Sequence, residues 1–178
     1  IHFLGPTSFI KAFSFDRPLL AGVYILTTSI FGDTPINWQI FAIFARWLVC
    51  CLLWWTLKGV WPGRPLQTAG ISILFALYPG FLQQHIAITY GNVFLVLSAY
   101  MASWGFMIWS LRWSRRKRVF FGISLLFSAY SVFTAEHFFG LELLRPIFIW
   151  IVLTDLIADV KSRLHQTLVR WLPFLAID

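Results

Sequence analysis

The chain of 178 residues is 59% hydrophobic and 12% charged, carries a formal net charge of +7, and has a mean hydropathy of +0.76. Soluble domains are about 45–50% apolar and about 25% charged, so this composition argues against an ordinary water-soluble domain and predicts a membrane protein. The excess of cations is no nucleic-acid footprint, because they stand in short loops between apolar runs, where they report topology.

Taken in order, residues 1–34 are expected at the outer membrane interface. Ile1–Phe15 mixes Phe and Ile with Lys11, Gly5 and Pro6 and is too broken to span. Pro18–Phe31 reads as a short juxtamembrane helix, since 14 residues reach only about 21 Å. Asp16 and Arg17 precede it, and Gly32-Asp33-Thr34-Pro35 ends it, with Asp33 or Thr34 available to cap the next helix. Residues 35–178 are expected to form a transmembrane helix bundle. Its predicted spans are 35–58, 66–83 (kinked at Pro79), 94–111, 119–133 and 146–160, and another helix begins at 171. The fold class is therefore all-α: a polytopic helix bundle with a short helix on its outer face. The start at Ile1 and the stop at Asp178 inside an apolar stretch are read as marks of an internal piece of a longer protein.

The run Leu111-Arg-Trp-Ser-Arg-Arg-Lys-Arg118 sets the orientation. Carrying its five cations across a bilayer is costly, so Arg115–Arg118 are expected in the cytoplasm, and the setting is expected to be a bacterial cytoplasmic membrane. With that choice ten cations fall inside: Lys58, Arg64, Arg112, Arg115, Arg116, Lys117, Arg118, Lys161, Arg163 and Arg170. Only Lys11 and Arg17 fall outside, with Arg46 and Arg145 within or beside spans. Ten Trp and five Tyr suit the two interfaces. Cys50 and Cys51 are neighbours on a helix and point about 100° apart, which disfavours a mutual disulfide. Phosphate-binding glycine loops, dinucleotide fingerprints, His-Glu-x-x-His and Cys-x-x-Cys are all missing from the sequence, and no metal site or cofactor is assigned.

The candidate chemistry lies in the outer loops. Asp16, His85 and Glu136 are the acid–base candidates; Arg17, Tyr90, Asn92, His137 and Arg145 are candidates for holding a substrate. The spans flanking residues 134–145 are short, so their linker is expected below the outer surface, lining a cavity for a substrate with a lipid tail and a polar head. Each candidate has a plainer reading. Asp16 suits a helix cap, Glu142 and Arg145 can pair locally, and Asp155 and Asp159 balance nearby cations. His85 and His137 fall in turns, whereas haem ligands sit on facing helices, which disfavours haem. Arg46, about 11 residues into its span, either meets a phosphate or pairs with an acid of a neighbouring helix.

Asp16-Arg17-Pro18-Leu19, the short helix with Tyr24, Phe31-Gly32-Asp33 and then a long span resemble the first outer loop of GT-C-class membrane glycosyltransferases, in particular family-39-like members. Leu77-Tyr78-Pro79-Gly80-Phe81 is similar to the next helical pair of that class. The resemblance implies a polyprenyl-phosphate sugar donor, reaction at the outer face, and an acidic base in the first outer loop. In this sequence Arg17 replaces the first proline of the family's Pro-Pro-Leu pattern, and Asp16 is the only acid near the expected base. The rival expectation is a non-catalytic subunit of a larger respiratory or photosynthetic membrane complex, in which the aromatic residues pack against partners.

Overall fold

A computed structural model describes Ile10 and residues 18–78, 86–135 and 139–177. The elements are α1 (Pro18–Phe31), α2 (Pro35–Val60), α3 (Pro65–Ala76), α4 (Ala87–Arg112), a 3-10 turn (Ser114–Arg116), α5 (Lys117–Thr134), α6 (a single turn, Phe139–Glu142), α7 (Arg145–Thr154) and α8 (Val160–Leu175). Among the described residues there is no strand. The all-α architecture is thus established, and two helices, α2 and α4, are long and apolar enough to cross a membrane.

The α4 helix is the axis. Its apolar window is 72% buried, against 33% for α2, and α2, α5 and α7 all pack on it. Glycine explains the tightest of these contacts. A Cβ on Gly59 of α2 would stand 2.7 Å from Ile108 Cγ2, and one on Gly91 of α4 would stand 2.8 Å from Phe41 Cδ1. Gly105 of α4 is closer still, directly against the Trp55 ring. Small residues let two helix backbones approach closely. On the α5 side the same role falls to serine. Ser103 donates to the Ser124 carbonyl at 2.8 Å, and Ser124 returns a bond to the Ser103 carbonyl at 2.6 Å.

Several helices differ in extent from the sequence expectation. The helix expected over 66–83 stops at Ala76, before the Tyr78-Pro79 pair, because the residue preceding proline is pushed out of the α region. The helix expected over 146–160 ends at Thr154. The basic segment after it is helical, so the helix expected to begin at 171 begins at Val160. Asp159 explains that start: its carboxylate accepts from the Ser162 amide at 2.8 Å. In contrast, α4 begins seven residues earlier than the predicted span, since the polar Tyr90 and Asn92 enter the helix.

The ends of the bundle are closed differently. Gly32, at φ 60°, terminates α1 in the left-handed conformation, and the Trp38 indole donates to its carbonyl at 2.8 Å. Asn37 donates to the Phe31 carbonyl at 3.0 Å. Thr34 is the N-cap of α2, yet its side chain makes no capping bond. At the opposite end Arg112 gathers three helices. It donates to the Gly59 carbonyl, to Val60 O at 3.1 Å, and to Asp155 at 2.9 Å. The C-terminal ends of α2, α4 and α7 therefore meet around one guanidinium, where the helix dipoles favour a cation. Calling this end inner and the Gly32 end outer keeps the orientation used above.

Candidate functional site

Two arginines mark the middle of the bundle. Arg145 opens α7 and is fully buried, as is Glu142 one turn before it. Arg145 Nε bonds Glu142 Oε1, Nη1 reaches Ser103 Oγ at 3.2 Å, and Nη2 reaches Ser128 Oγ at 3.3 Å. The Tyr100 hydroxyl donates to Glu142 Oε2 at 2.6 Å. Aromatic faces complete the enclosure: the guanidinium carbon lies 3.9 Å from the Phe174 ring centre and 5.6 Å from those of Tyr100 and Trp104. A buried ion pair survives only when its remaining donors and acceptors are met, and here serines and a tyrosine meet them. Arg145, expected to hold a substrate, is thus part of the interior, with its charge already matched by Glu142.

The depth of this pair locates the linker before it. Ser103 lies nine residues from the inner end of α4 and sixteen from the outer end, about 14 Å and about 24 Å along the helix. Residues 139–145 therefore lie well below the outer end of α4, as the short flanking helices lead one to expect. Such backbone at depth requires a protein-lined or water-lined setting.

Arg46 lies on α2 about 10 Å nearer the outer end than Ser103, since Gly91 faces Phe41 and Gly105 faces Trp55 along the parallel α2–α4 pair. Its Nη2 donates to the carbonyl of Ala76, the last residue of α3. A cation on the terminal carbonyls of a helix satisfies an orphan acceptor and complements the dipole. The chain thus contains two helices of about half the required length, α3 (12 residues, about 18 Å) and α7 (10 residues, about 15 Å), each with an arginine at its mid-bundle end.

Above Arg46, at the outer end, a cleft of about 220 Å³ opens between the α1–α2 turn and the start of α4. Asp33, Trp38, Gln39 and Ile86 are among its lining residues. Gln39 and Arg46 are seven apart on α2 and share a face, with Arg46 about 10 Å deeper. Tyr90 lies on the first turns of α4, partly buried against the apolar cluster around Trp38 and Phe41. Asn92 is completely buried: Nδ2 donates to Ile88 O at 2.8 Å, and Oδ1 has no hydrogen-bond partner among the described residues.

Asp16, Arg17, His85, Glu136 and His137 lie outside the described residues, as do Gln83 and Gln84. The structure thus brings Tyr90 and Asn92 to the outer end, and places Arg46 and Arg145 at mid-depth with structural partners. Sequence reasoning missed Asp33 and Gln39 as cleft residues, because Asp33 reads as a cap and Gln39 as a stray polar residue in a span. It also missed the serines. Ser124, Ser128 and Ser131 recur at four- and three-residue spacing in an apolar run, and that spacing is the signal for a helix-contact face. No group of three or more His, Cys, Asp or Glu among the described residues is arranged to hold a metal ion. Cys50 and Cys51 are free thiols.

Comparison with protein-family models, with curated protein sequences and with solved structures finds no match to this chain.

Proposed function

We propose that the chain is a multi-pass integral membrane protein, with Arg115–Arg118 on the cytoplasmic side. Further, we propose that it is a segment of a GT-C-like glycosyltransferase acting at the outer face on a lipid-phosphate-linked sugar. The membrane reading is supported by α2 and α4, by exposed Ile36, Ile40, Ile43, Phe44 and Trp47 along α2, and by the glycine and serine contacts between helices. A water-soluble protein does not expose an apolar surface of that extent without a partner.

One observation carries the outer-face site: the cleft between the α1–α2 turn and the start of α4. It opens where the first outer loop, which the resemblance gives the acidic base, meets the segment following His85. In this reading Asp16, His85 and Glu136 supply acid–base groups, and Arg17 and His137 hold the donor phosphate. Asp33, Gln39 and Ile86 line the site, and Tyr90 and the buried Asn92 lie behind it on α4. Arg46 and Arg145 hold the half-helices that keep the cavity recessed.

The experiment is sugar transfer by the full-length protein from a polyprenyl-phosphate sugar, with Asp16→Asn, His85→Gln and Glu136→Gln assayed singly. Loss of about 10²-fold or more in at least one variant is expected for a general acid or base. Unchanged turnover in all three removes the site.

A second reading, a non-catalytic subunit of a larger membrane complex, is favoured by the aromatic α2 face and by the internal pairing of Glu142 with Arg145. Strict co-purification with a cofactor-bearing complex, without binding of the donor lipid, decides for it.

A further inference from the structure

The inner end holds a second built feature. A pocket of about 230 Å³ lies between the end of α4, the start of α5 and α8. Ser110, Lys117, Arg118, Phe121, Val169, Arg170 and Pro173 line it. Its floor is apolar and three cations converge on its rim, while among the described residues no carboxylate lines it. The inner-end acids are engaged elsewhere, Asp155 with Arg112 and Asp159 with the Ser162 amide. Ser110 spends its hydroxyl on Met107 O at 2.6 Å.

Arg170 is the informative residue. It is half-buried, and its one hydrogen-bond partner among the described residues is the neutral Gln166 Oε1 at 3.3 Å. Burial pulls its pKa down from the ordinary arginine value, the mark of a cation losing water without gaining an anion. Lys117 and Arg118 stand on the first turn of α5, an 18-residue helix whose N-terminal amides also favour negative charge. On α8 the exposed Leu172 lies three residues from Val169 and so neighbours it at the pocket's edge. Val169, which lines the pocket, is exposed as well.

We propose that this pocket binds the phosphate headgroup of an anionic phospholipid of the cytoplasmic leaflet, with its acyl chains leaving over the apolar edge formed by Phe121, Val169 and Leu172. The volume is below the roughly 300 Å³ at which drug-sized sites begin, which fits a headgroup better than a soluble cofactor. The three cations supply the charge, and the apolar flank selects a lipid over a free anion. Lys117 and Arg170 meet the phosphate oxygens, Arg170 with a planar fork that suits two of them. The inference rests on the membrane orientation proposed above and is independent of the glycosyltransferase reading.

The test uses the full chain, purified in detergent and titrated with phosphatidylglycerol or phosphatidylcholine, with bound lipid counted by native mass spectrometry. Phosphatidylglycerol is expected to be retained at least about tenfold more strongly than phosphatidylcholine, in line with near-surface cations acting together. The combined variant Lys117→Gln, Arg118→Gln, Arg170→Gln should lose that preference. A charge-matched control, Arg64→Gln, Arg115→Gln, Arg116→Gln, should keep it. Arg170→Gln alone, chosen in case the triple variant fails to fold, should reduce the preference several-fold. Equal retention of both lipids, equal loss in the control, or full competition by inorganic phosphate at matched concentration overturns the proposal. Solubility of the wild-type chain without detergent would sink the membrane reading itself, a failure distinguishable from the loss of lipid preference.

Discussion

The two ends of this bundle are built on opposite rules. At the inner end charged side chains close the C-terminal ends of α2 and α7 and the start of α8, while α3 and α5 begin without a side-chain cap. Arg112 serves α2 and joins α7 through Asp155, Asp159 caps α8, and Arg163 donates to Ile157 O at 2.9 Å and to Ala158 O at 3.3 Å. The apolar cluster of Val60, Met107, Ile108, Ile149, Val152 and Phe174 lies just above. Toward the outer end α3 and α7 stop at mid-bundle and a cleft opens. Closed termini stabilise a fold and fix its topology. Interrupted helices are stabilised less and leave room for a ligand, which is why the outer half is where sugar transfer is proposed.

The contrast can be broken most sharply at mid-bundle. Arg145→Met strands the Glu142 carboxylate in the interior and should cost about 3–5 kcal/mol, read as a large drop in the melting temperature in detergent. Adding Glu142→Leu should recover most of the loss; no recovery would show that the charge pair is not what the site depends on.

The next effect belongs to the α2–α4 contact. Gly105→Val drives methyl groups into the Trp55 ring and should destabilise by about 1–3 kcal/mol, whereas Gly122→Val, which meets nothing within 4 Å, should not. Equal melting of the two variants would mean that the helices do not approach at Gly105. Smaller still is the serine exchange. Ser124→Ala removes the bond to the Ser103 carbonyl while leaving Ser103 its contact with Arg145, and should cost about 1 kcal/mol, in the range measured for interhelical bonds in membranes.

The smallest effect is local and pH-dependent. The bond from Ser162 holds the Asp159 carboxyl below its ordinary pKa. A carboxyl with a depressed folded pKa contributes stability above its unfolded pKa of about 3.9 and loses it as pH falls through the folded value. Protection of the amides in the first turn of α8, taken relative to their intrinsic exchange rate at each pH, should therefore fall below about pH 4 in the wild type. In Asp159→Ala that protection should be low at neutral pH as well and should not fall further on acidification.

These two ends were not equally legible in the sequence. The α4 helix was, because an unbroken apolar run ending in five cations has one reading. The short α1 was legible too, from Pro18 and the Phe31-Gly32-Asp33 turn. The extent of α3 was not, since hydropathy continues past Ala76 while the helix does not; the stop comes from Pro79 acting on the residue before it. The helical α8 was hidden by its cations, which look like a loop until the four-residue spacing of Val160, Leu164, Leu168 and Leu172 is noticed. Of the site, Asp16, Arg17, His85, Glu136 and His137 fall outside the described residues. A charge in an apolar run invites the reading of Arg145 as a substrate group; which partners it takes depends also on Tyr100, Ser103 and Ser128, all distant in sequence. The pairing of Asp155 with Arg112 matches its reading as a charge balance.

The orientation of α4 is the claim on which the outer cleft and the inner lipid pocket both depend. In a chain whose Cys50 and Cys51 are replaced by alanine, Asp33→Cys and Arg116→Cys can each be labelled with a membrane-impermeant maleimide in intact cells. The account predicts that Asp33→Cys reacts at once and that Arg116→Cys reacts only after permeabilisation. Reaction of both from the same side would contradict it.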